Sequence, residues 1–370
     1  MSIRIPLSAP DITQAEIDAV TNVLRTPQLS LGPQLNSFES ELAEYHGMPH
    51  AVAVSSGTAG LHVALLALGI CSGDEVIVPS FAFIAVANAV LQAGATPVFA
   101  DIDPVTLNLD PARVADAITY RTRAIIVVHT FGVPAQMDLL RNLALQHNLV
   151  ILEDACEAIG ATFQHRPVGS FGDLSVLGFY PNKQMTTGEG GAVLARSTPH
   201  AARLRGLRNQ GRTGTEWLDH AEPGFNYRLS ELACALGRVQ LSRLNEMLVL
   251  RNAASDRYFE LLSDIPCLEL PPPRMPDRSI SWFVFVVRMR DEQTRNRAQS
   301  ALAARGIATG RYFAPIHLQP AWQNHPHARV WLPNTEAIAP RTLALPLFNR
   351  ITKQQQGEIA NALAEILIPC

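Results

Sequence analysis

Seven short runs rich in β-branched and aliphatic residues punctuate the first two-thirds of the chain, at 51–54, 75–78, 96–99, 124–128, 149–152, 174–179 and 192–194. Most are apolar at consecutive positions rather than alternate ones, so both faces of each strand need cover. Helical patterns lie between them, as at 59–68 and 84–92. Alternation of this kind predicts an α/β fold, with a mainly parallel central sheet covered by helices. Ligands in such sheets bind at the carboxyl ends of the strands, which directs attention to the residues just after each run.

The rest of the chain reads differently. Residues 230–264 form a helical stretch rich in Leu, Glu and Arg, and Pro271-Pro272-Pro273-Arg274-Met275-Pro276 then reads as a hinge or boundary. A strand at 282–287, a helix at 296–305, a strand-like segment at 342–346 and a closing helix at 353–368 make a small α+β unit. The expected division is a large domain over 1–245, including the N-terminal segment, and a small C-terminal domain over 246–370. A chain of 370 residues is long enough to build both cores.

Several function classes are disfavoured by composition. The formal net charge of −3 gives no global attraction to nucleic acid or an anionic membrane. The densest basic cluster, Arg203, Arg205, Arg208 and Arg212, reads first as a solvated helix face and the loop after it; the alternative is a site for a substrate's diphosphate. The longest apolar region, 76–95, is interrupted by Pro79, Ser80, Asn88 and Gln92, so it reads as strand, loop and buried helix rather than a membrane span. The segment Met1-Ser2-Ile3-Arg4-Ile5-Pro6 lacks the apolar core of a signal peptide. Cys71, Cys156, Cys234, Cys267 and Cys370 are scattered without metal-ligand spacing, which favours free thiols and the cytoplasm. Cys156 reads as a small buried residue.

Two strand ends carry chemistry. Lys183 stands in Leu177-Gly178-Phe179-Tyr180-Pro181-Asn182-Lys183, between two apolar runs and before a glycine-bordered turn. Desolvating an amine favours its neutral, nucleophilic form. Leu149-Val150-Ile151-Leu152-Glu153-Asp154 delivers a carboxylate to the end of another strand. A lysine to bond an aldehyde and an aspartate to protonate a pyridine nitrogen are the protein groups that pyridoxal 5'-phosphate (PLP) requires. Val54-Ser55-Ser56-Gly57-Thr58-Ala59 passes from strand to helix, where free N–H groups and the helix dipole suit a phosphate; a plain helix cap is the simpler reading of the motif alone. Pro79-Ser80-Phe81-Ala82-Phe83 ends the next strand and offers an aromatic ring to stack on a flat cofactor, or a core residue.

Taken together, these residues resemble the DegT–StrS type of sugar aminotransferase, within the fold-type I PLP enzymes. The matching blocks also include Gly73-Asp74-Glu75-Val76-Ile77-Val78-Pro79-Ser80, Val98-Phe99-Ala100-Asp101-Ile102-Asp103, Thr186-Thr187-Gly188-Glu189-Gly190-Gly191, Gly224-Phe225-Asn226-Tyr227-Arg228 and Leu345-Pro346-Leu347. The resemblance implies PLP as cofactor, L-glutamate as amino donor, a nucleotide-linked keto-sugar as acceptor, and a homodimer with shared active sites. Such enzymes make aminosugars for surface polysaccharides or secondary metabolites. By that likeness Lys183 is the Schiff-base lysine, Asp154 the partner of the ring nitrogen, and Phe83 the stacked aromatic. Gly57, Thr58 and Ala59 match the phosphate loop. Asn226 matches the residue sent to the phosphate by the neighbouring subunit, with Arg228 close by, and His317 falls on a segment near the sugar. The Thr-Thr-Gly-Glu-Gly-Gly form of the block after the lysine leans toward a 4-keto-6-deoxy sugar.

Two positions depart from the family pattern. Gly178 stands where a serine often donates a hydroxyl to the phosphate, leaving a water or a neighbour such as Ser175 to replace it. Glu157 stands where Gln or His is common near the cofactor's phenolic oxygen, and its charge would oppose a phenolate unless it is protonated or turned away. Two other functions remain in view. A PLP-dependent sugar dehydratase of this type would carry histidine in place of Lys183. A non-catalytic regulatory protein on the same fold would have no need for Lys183, Asp154 and Thr58.

Overall fold

The computed structural model describes residues 3–214, 218–272 and 275–367. Of the positions used above, Met1, Ser2, Pro273, Arg274, Ile368 and Cys370 lie outside the described residues. In chain order the strands are β1 (His50–Val54), β2 (Glu75–Pro79), β3 (Thr96–Ala100), β4 (Thr122–Val128), β5 (Val150–Asp154), β6 (Thr162–Phe163), β7 (Arg166–Pro167), β8 (Leu174–Gly178) and β9 (Gly191–Ala195). β10 (Leu268–Glu269), β11 (Arg278–Ser279), β12 (Phe285–Met289) and β13 (Thr342–Leu345) follow.

The central sheet has seven strands in the order β1-β9-β8-β5-β4-β2-β3. All run parallel except β9, which pairs antiparallel with both β1 and β8. These are the seven apolar runs of the sequence, and their burial shows why they are doubly apolar. Val76 and Val78 of β2 join one core while Ile77 joins the other, and Ala124, Ile126 and Val128 of β4 face away from Ile125 and Val127. Burying a Val or Ile side chain contributes about 1.5–3 kcal/mol, so each strand is anchored from both sides. A slip of one residue would exchange the two faces and misfit both cores. The helices Gly57–Ala67 and Ala85–Gln92 cover the first face. Pro33–Tyr45 and Met137–Gln146 contribute to the cores on the other.

A separate core gathers Ala254, Tyr258, Leu262, Phe285, Leu343 and residues up to Leu367 around the three-stranded sheet β10-β12-β13. Ile5 packs into this core and bridges to Ile307, so the N-terminal segment lies along it. β11 instead pairs with β6, beside β7. Among the described residues, no helix is long and apolar enough to cross a membrane.

Three readings change in detail. The helical stretch 230–264 is two helices, Glu231–Ser242 and Leu244–Leu262, broken at Arg243. The strand expected at 282–287 begins only at Phe285, because the carbonyls of Trp282 and Phe283 accept from Arg251 Nη1 at 3.1 and 3.2 Å. Arg208 is not on a solvated face: it is buried, ion-paired with Glu39, and donates to the Ala53 carbonyl at 2.6 Å.

Candidate active site

β1, β9, β8 and β5 are neighbours, so the carboxyl ends of β1, β8 and β5 meet the amino end of β9 at one edge of the sheet. The loops leaving that edge enclose a cavity of about 450 Å³. Gly57, Thr58, Phe83, Asp154, Glu157 and Lys183 all line it. Residues separated by more than a hundred positions converge because three strand ends and one reversed strand share a boundary.

The lysine loop is a hairpin whose base is pinned. Phe179 N–H donates to the Gly190 carbonyl at 2.9 Å, and Thr187 N–H returns to the Phe179 carbonyl at 3.0 Å. Thr186 Oγ1 donates to that same carbonyl at 2.9 Å. Arg251 Nη2 donates to the Lys183 carbonyl at 3.2 Å, so one buried guanidinium holds both the lysine backbone and the Trp282–Phe283 backbone opposite. Burial lowers the Arg251 guanidinium to about 10. The Lys183 amine is 3.5 Å from Glu157 Oε1 and 3.9 Å from the centre of the Phe283 ring.

At the end of β5, Asp154 Oδ1 accepts the Cys156 N–H at 3.1 Å, which fixes the carboxylate at the mouth of the sheet. The residue before it is more deeply engaged. Glu153 is fully buried and accepts from His129 Nε2, the N–H groups of Gly169, Phe171 and Gly172, and the Ser175 hydroxyl, at 2.6–3.0 Å. Burial alone would raise its carboxyl, but His129 and the backbone donors overcome that and hold it below the ordinary range. Sequence reasoning passed over Glu153. Its signal was a charged residue inside an otherwise apolar strand, where an ionised group survives only with dedicated donors.

This network also corrects an expectation. Ser175 does not replace the hydroxyl absent at Gly178, because its own hydroxyl is committed to Glu153. The glycine itself is explained by Cys156. A Cβ on Gly178 would lie 3.0 Å from the Cys156 sulfur, and one on Gly57 would lie 2.9 Å from it. The thiol is wedged between the two backbones, so Cys156 is a cavity-wall residue rather than a simple core one. Burial, and then Asp154, push that thiol well above its ordinary range, which leaves it a poor nucleophile.

The phosphate end is the start of the helix Gly57–Ala67. Ser56 Oγ accepts the Ala59 N–H at 3.0 Å, which removes Ala59 from the expected donor set. Gly57 and Thr58 remain, with first-turn N–H groups that have no intrahelical acceptor. A carboxylate, an amine, a helix start and an aromatic edge (Phe83, 63% exposed) therefore surround one cavity, and they fit PLP. Glu157 is turned toward Lys183 and accepts the Phe131 N–H at 2.9 Å. Burial raises its carboxyl, and the Lys183 charge and that N–H draw it partly back.

The model of the DegT/DnrJ/EryC1/StrS aminotransferase family matches residues 10–364. The chain belongs to that family. Among solved structures, DesV of S. venezuelae is 38% identical over 98% of each chain, with a TM-score of 0.91. The aminotransferase TlmJ from Streptoalloteichus hindustanus is 32% identical over 99% of each chain, with a TM-score of 0.94. Spr1654 from Streptococcus pneumoniae, solved with PLP, is 28% identical over 99% of each chain at a TM-score of 0.93, and its PMP form is also similar. The fold is that of the fold-type I enzymes, and this DegT/DnrJ/EryC1/StrS member is a PLP-dependent sugar aminotransferase.

Two expected site residues of this aminotransferase, Ala59 and His317, lie off the described lining of this cavity, as do Asn226 and Arg228, which the resemblance assigns to a neighbouring subunit's cavity. Asn226 bridges to Asn209, whose Oδ1 accepts from Arg228 Nη1 at 3.0 Å. His317, expected beside the sugar, is buried instead: Nδ1 is 2.6 Å from Ser80 Oγ and Nε2 is 3.3 Å from Glu336 Oε1. It holds the Ser80 turn that presents Phe83. Of the basic cluster, Arg203, Arg205, Arg208 and Arg212 are likewise absent from the described lining.

Proposed function

We propose that this aminotransferase moves an amino group from L-glutamate to a nucleotide-linked keto-sugar, a 4-keto-6-deoxy sugar being the favoured acceptor. The observation that carries the reading is Lys183 beside Asp154 and the Gly57–Thr58 helix start in one cavity of a family member. PLP supplies an electron sink at the substrate carbon when bound. Lys183 Nζ would hold the cofactor through its aldehyde carbon, would yield that place to an incoming amine, and would then be the group that moves a proton between the substrate carbon and the cofactor carbon. Asp154 would hold the proton on the ring nitrogen. The N–H groups of Gly57 and Thr58 and the Thr58 hydroxyl receive the phosphate. Phe83, on the cavity wall, would lie against the ring.

A homodimer belongs to the same reading, with Asn226 and Arg228 reaching a neighbouring subunit's cavity. Their place off the cavity of their own chain supports it. So does the cavity wall, whose described residues include Lys183 as the only lysine or arginine, although a dianionic donor and a diphosphate both call for cations. A division near residue 245 into cofactor-binding and smaller domains is supported by the separate core around β12 and β13. Action in the cytoplasm on material for surface polysaccharide or secondary metabolites completes the proposal. Lys183 itself speaks against a dehydratase of this type, which would carry histidine there.

The test is a panel of UDP-, dTDP- and GDP-linked keto-sugars given to the PLP-loaded protein with glutamate, with aminosugar read by mass. Amination of a 4-keto-6-deoxy member is expected, and Lys183→Ala should abolish it. Ammonia or a deoxygenated sugar as product would overturn the reading.

A further inference from the structure

Lys183 has protein partners whose use the reaction has not yet explained. Its ammonium meets a carboxylate oxygen of Glu157 at 3.5 Å on one side and the face of Phe283 at 3.9 Å on another. The lysine and glutamate side chains are only 14% and 8% exposed, so water does little for either charge. The arrangement is built rather than incidental. Arg251 fixes the carbonyls of Lys183 and Phe283 together, Phe131 N–H holds the other Glu157 oxygen, and Gln184 Nε2 donates to the Glu157 carbonyl at 2.6 Å. Phe283 is itself stacked on Tyr312, with ring planes 15° apart. A carboxylate and a π-face together suit a full, unbonded ammonium ion.

During turnover Lys183 needs such a place only part of the time. When an incoming amine displaces it, the new nitrogen bonds the cofactor carbon as the lysine nitrogen's bond to that carbon breaks. The incoming nitrogen gives one proton to the lysine nitrogen, which leaves as the neutral amine that moves the substrate proton; in the pyridoxamine form the unbonded lysine then takes up a proton from solvent and rests as an ammonium. We propose that Glu157 and Phe283 form a resting site for this released Lys183 ammonium, and so stabilise the pyridoxamine form of the enzyme over the pyridoxal form. The inference deepens the function proposed above and rests on it. It gives Glu157 a task of its own: it is a counter-ion for the lysine rather than a partner of the phenolic oxygen. Burial raises the Glu157 carboxyl, and the Lys183 charge works against that rise, as a counter-ion should.

The test measures binding of pyridoxamine phosphate and pyridoxal phosphate to the cofactor-free full chain by equilibrium dialysis, for wild type, Glu157→Gln and Phe283→Leu. Each variant is expected to tighten pyridoxal phosphate about tenfold and to change pyridoxamine phosphate by less than about twofold, because the cofactor-free and pyridoxamine forms both keep the ammonium at Glu157 and Phe283 while the pyridoxal form gives that contact up. In a Lys183→Ala background, where no ammonium is present, Glu157→Gln should no longer discriminate between the two. An equal change for both cofactors, or discrimination that persists without the lysine, would overturn the resting site while leaving the aminotransferase reading intact. A wild-type protein that binds neither cofactor would overturn both. Near-UV circular dichroism separates a misfolded variant from a true change in preference, and Glu157→Gln keeps an acceptor for the Phe131 N–H.

Discussion

Replacing Glu153 with Gln should destabilise the protein far more than its change of one atom suggests. Oε1 accepts from Phe171 N–H, Gly172 N–H and the Ser175 hydroxyl, while Oε2 accepts from Gly169 N–H and His129 Nε2. His129 cannot adapt by exchanging its ring hydrogen, because Nδ1 already accepts the Ala135 N–H at 3.0 Å. A glutamine keeps its oxygen at the three-donor position and then points an NH₂ group at two buried donors. Each buried donor left without an acceptor costs about 1–3 kcal/mol, so about 4 kcal/mol is expected in total. Losing the charge brings no relief, since the surroundings hold the Glu153 carboxyl below its ordinary 4.5 despite burial. Against a total stability of about 5–15 kcal/mol this is a large fraction. Urea unfolding of the cofactor-free protein near neutral pH should show a lower midpoint at unchanged slope. The pH arm gives a second reading. A depressed carboxylate contributes stability above the unfolded value of 4.5, and that contribution is lost as pH falls through the lower folded value. Glu153→Gln should lack that part of the acid dependence. A variant within about 1 kcal/mol of wild type, with the same acid slope, would refute the argument that the donors fix the charge.

Other consequences are narrower. Asp154→Asn should still take up cofactor but lose about 10²–10³-fold in the rate of the glutamate half-reaction, measured by stopped-flow absorbance, because the ring nitrogen loses its counter-charge. Gly178→Ser should destabilise by about 1–3 kcal/mol through its contact with Cys156, and the double variant with Cys156→Ala should recover much of this; strictly additive effects in urea unfolding would remove the contact from the explanation. Burial lowers the His317 ring below its ordinary 6.5, so folded protein carries it neutral while unfolded chain takes up a proton below 6.5. Stability from this group is therefore present above 6.5 and lost as pH falls through the folded value, and His317→Gln should flatten thermal unfolding across that window.

The parallel sheet was legible because burial on both faces leaves a continuous apolar run, and nothing in these strands competes with that pattern. The lysine, the strand-end aspartate and the helix-start glycine were legible for a related reason: each is a polar or flexible residue where packing alone would select neither. What escaped reading depends on partners distant in sequence. Trp282 and Phe283 look like strand residues, and only Arg251, some thirty positions earlier, draws their carbonyls off the ladder. Arg208 looks like surface in a run of arginines, and only Glu39 and the Ala53 carbonyl make it core. His317 belongs to the same class, since Ser80 and Glu336 decide its place. Local sequence reports periodicity and turn chemistry; it carries no record of which long side chain will cross the fold.

The strand that carries Asp154 illustrates how such crossings serve the site. Glu153 and Asp154 are adjacent, so their side chains leave β5 on opposite faces. One face must satisfy a buried charge, and it does so by collecting five donors: His129 just after β4, Gly169, Phe171 and Gly172 in the segment leading into β8, and Ser175 within β8. Those bonds pin the end of β5 against β4 and β8, and His129 N–H adds to this by donating to the Asp154 carbonyl at 3.1 Å. The backbone from which Asp154 projects is thereby held by groups that never touch the cavity. A carboxylate that must meet a ring nitrogen needs placement to a fraction of an ångström. The physical sense of a charge beside a charge is that the buried Glu153 supplies the rigidity and the cavity-facing Asp154 supplies the chemistry.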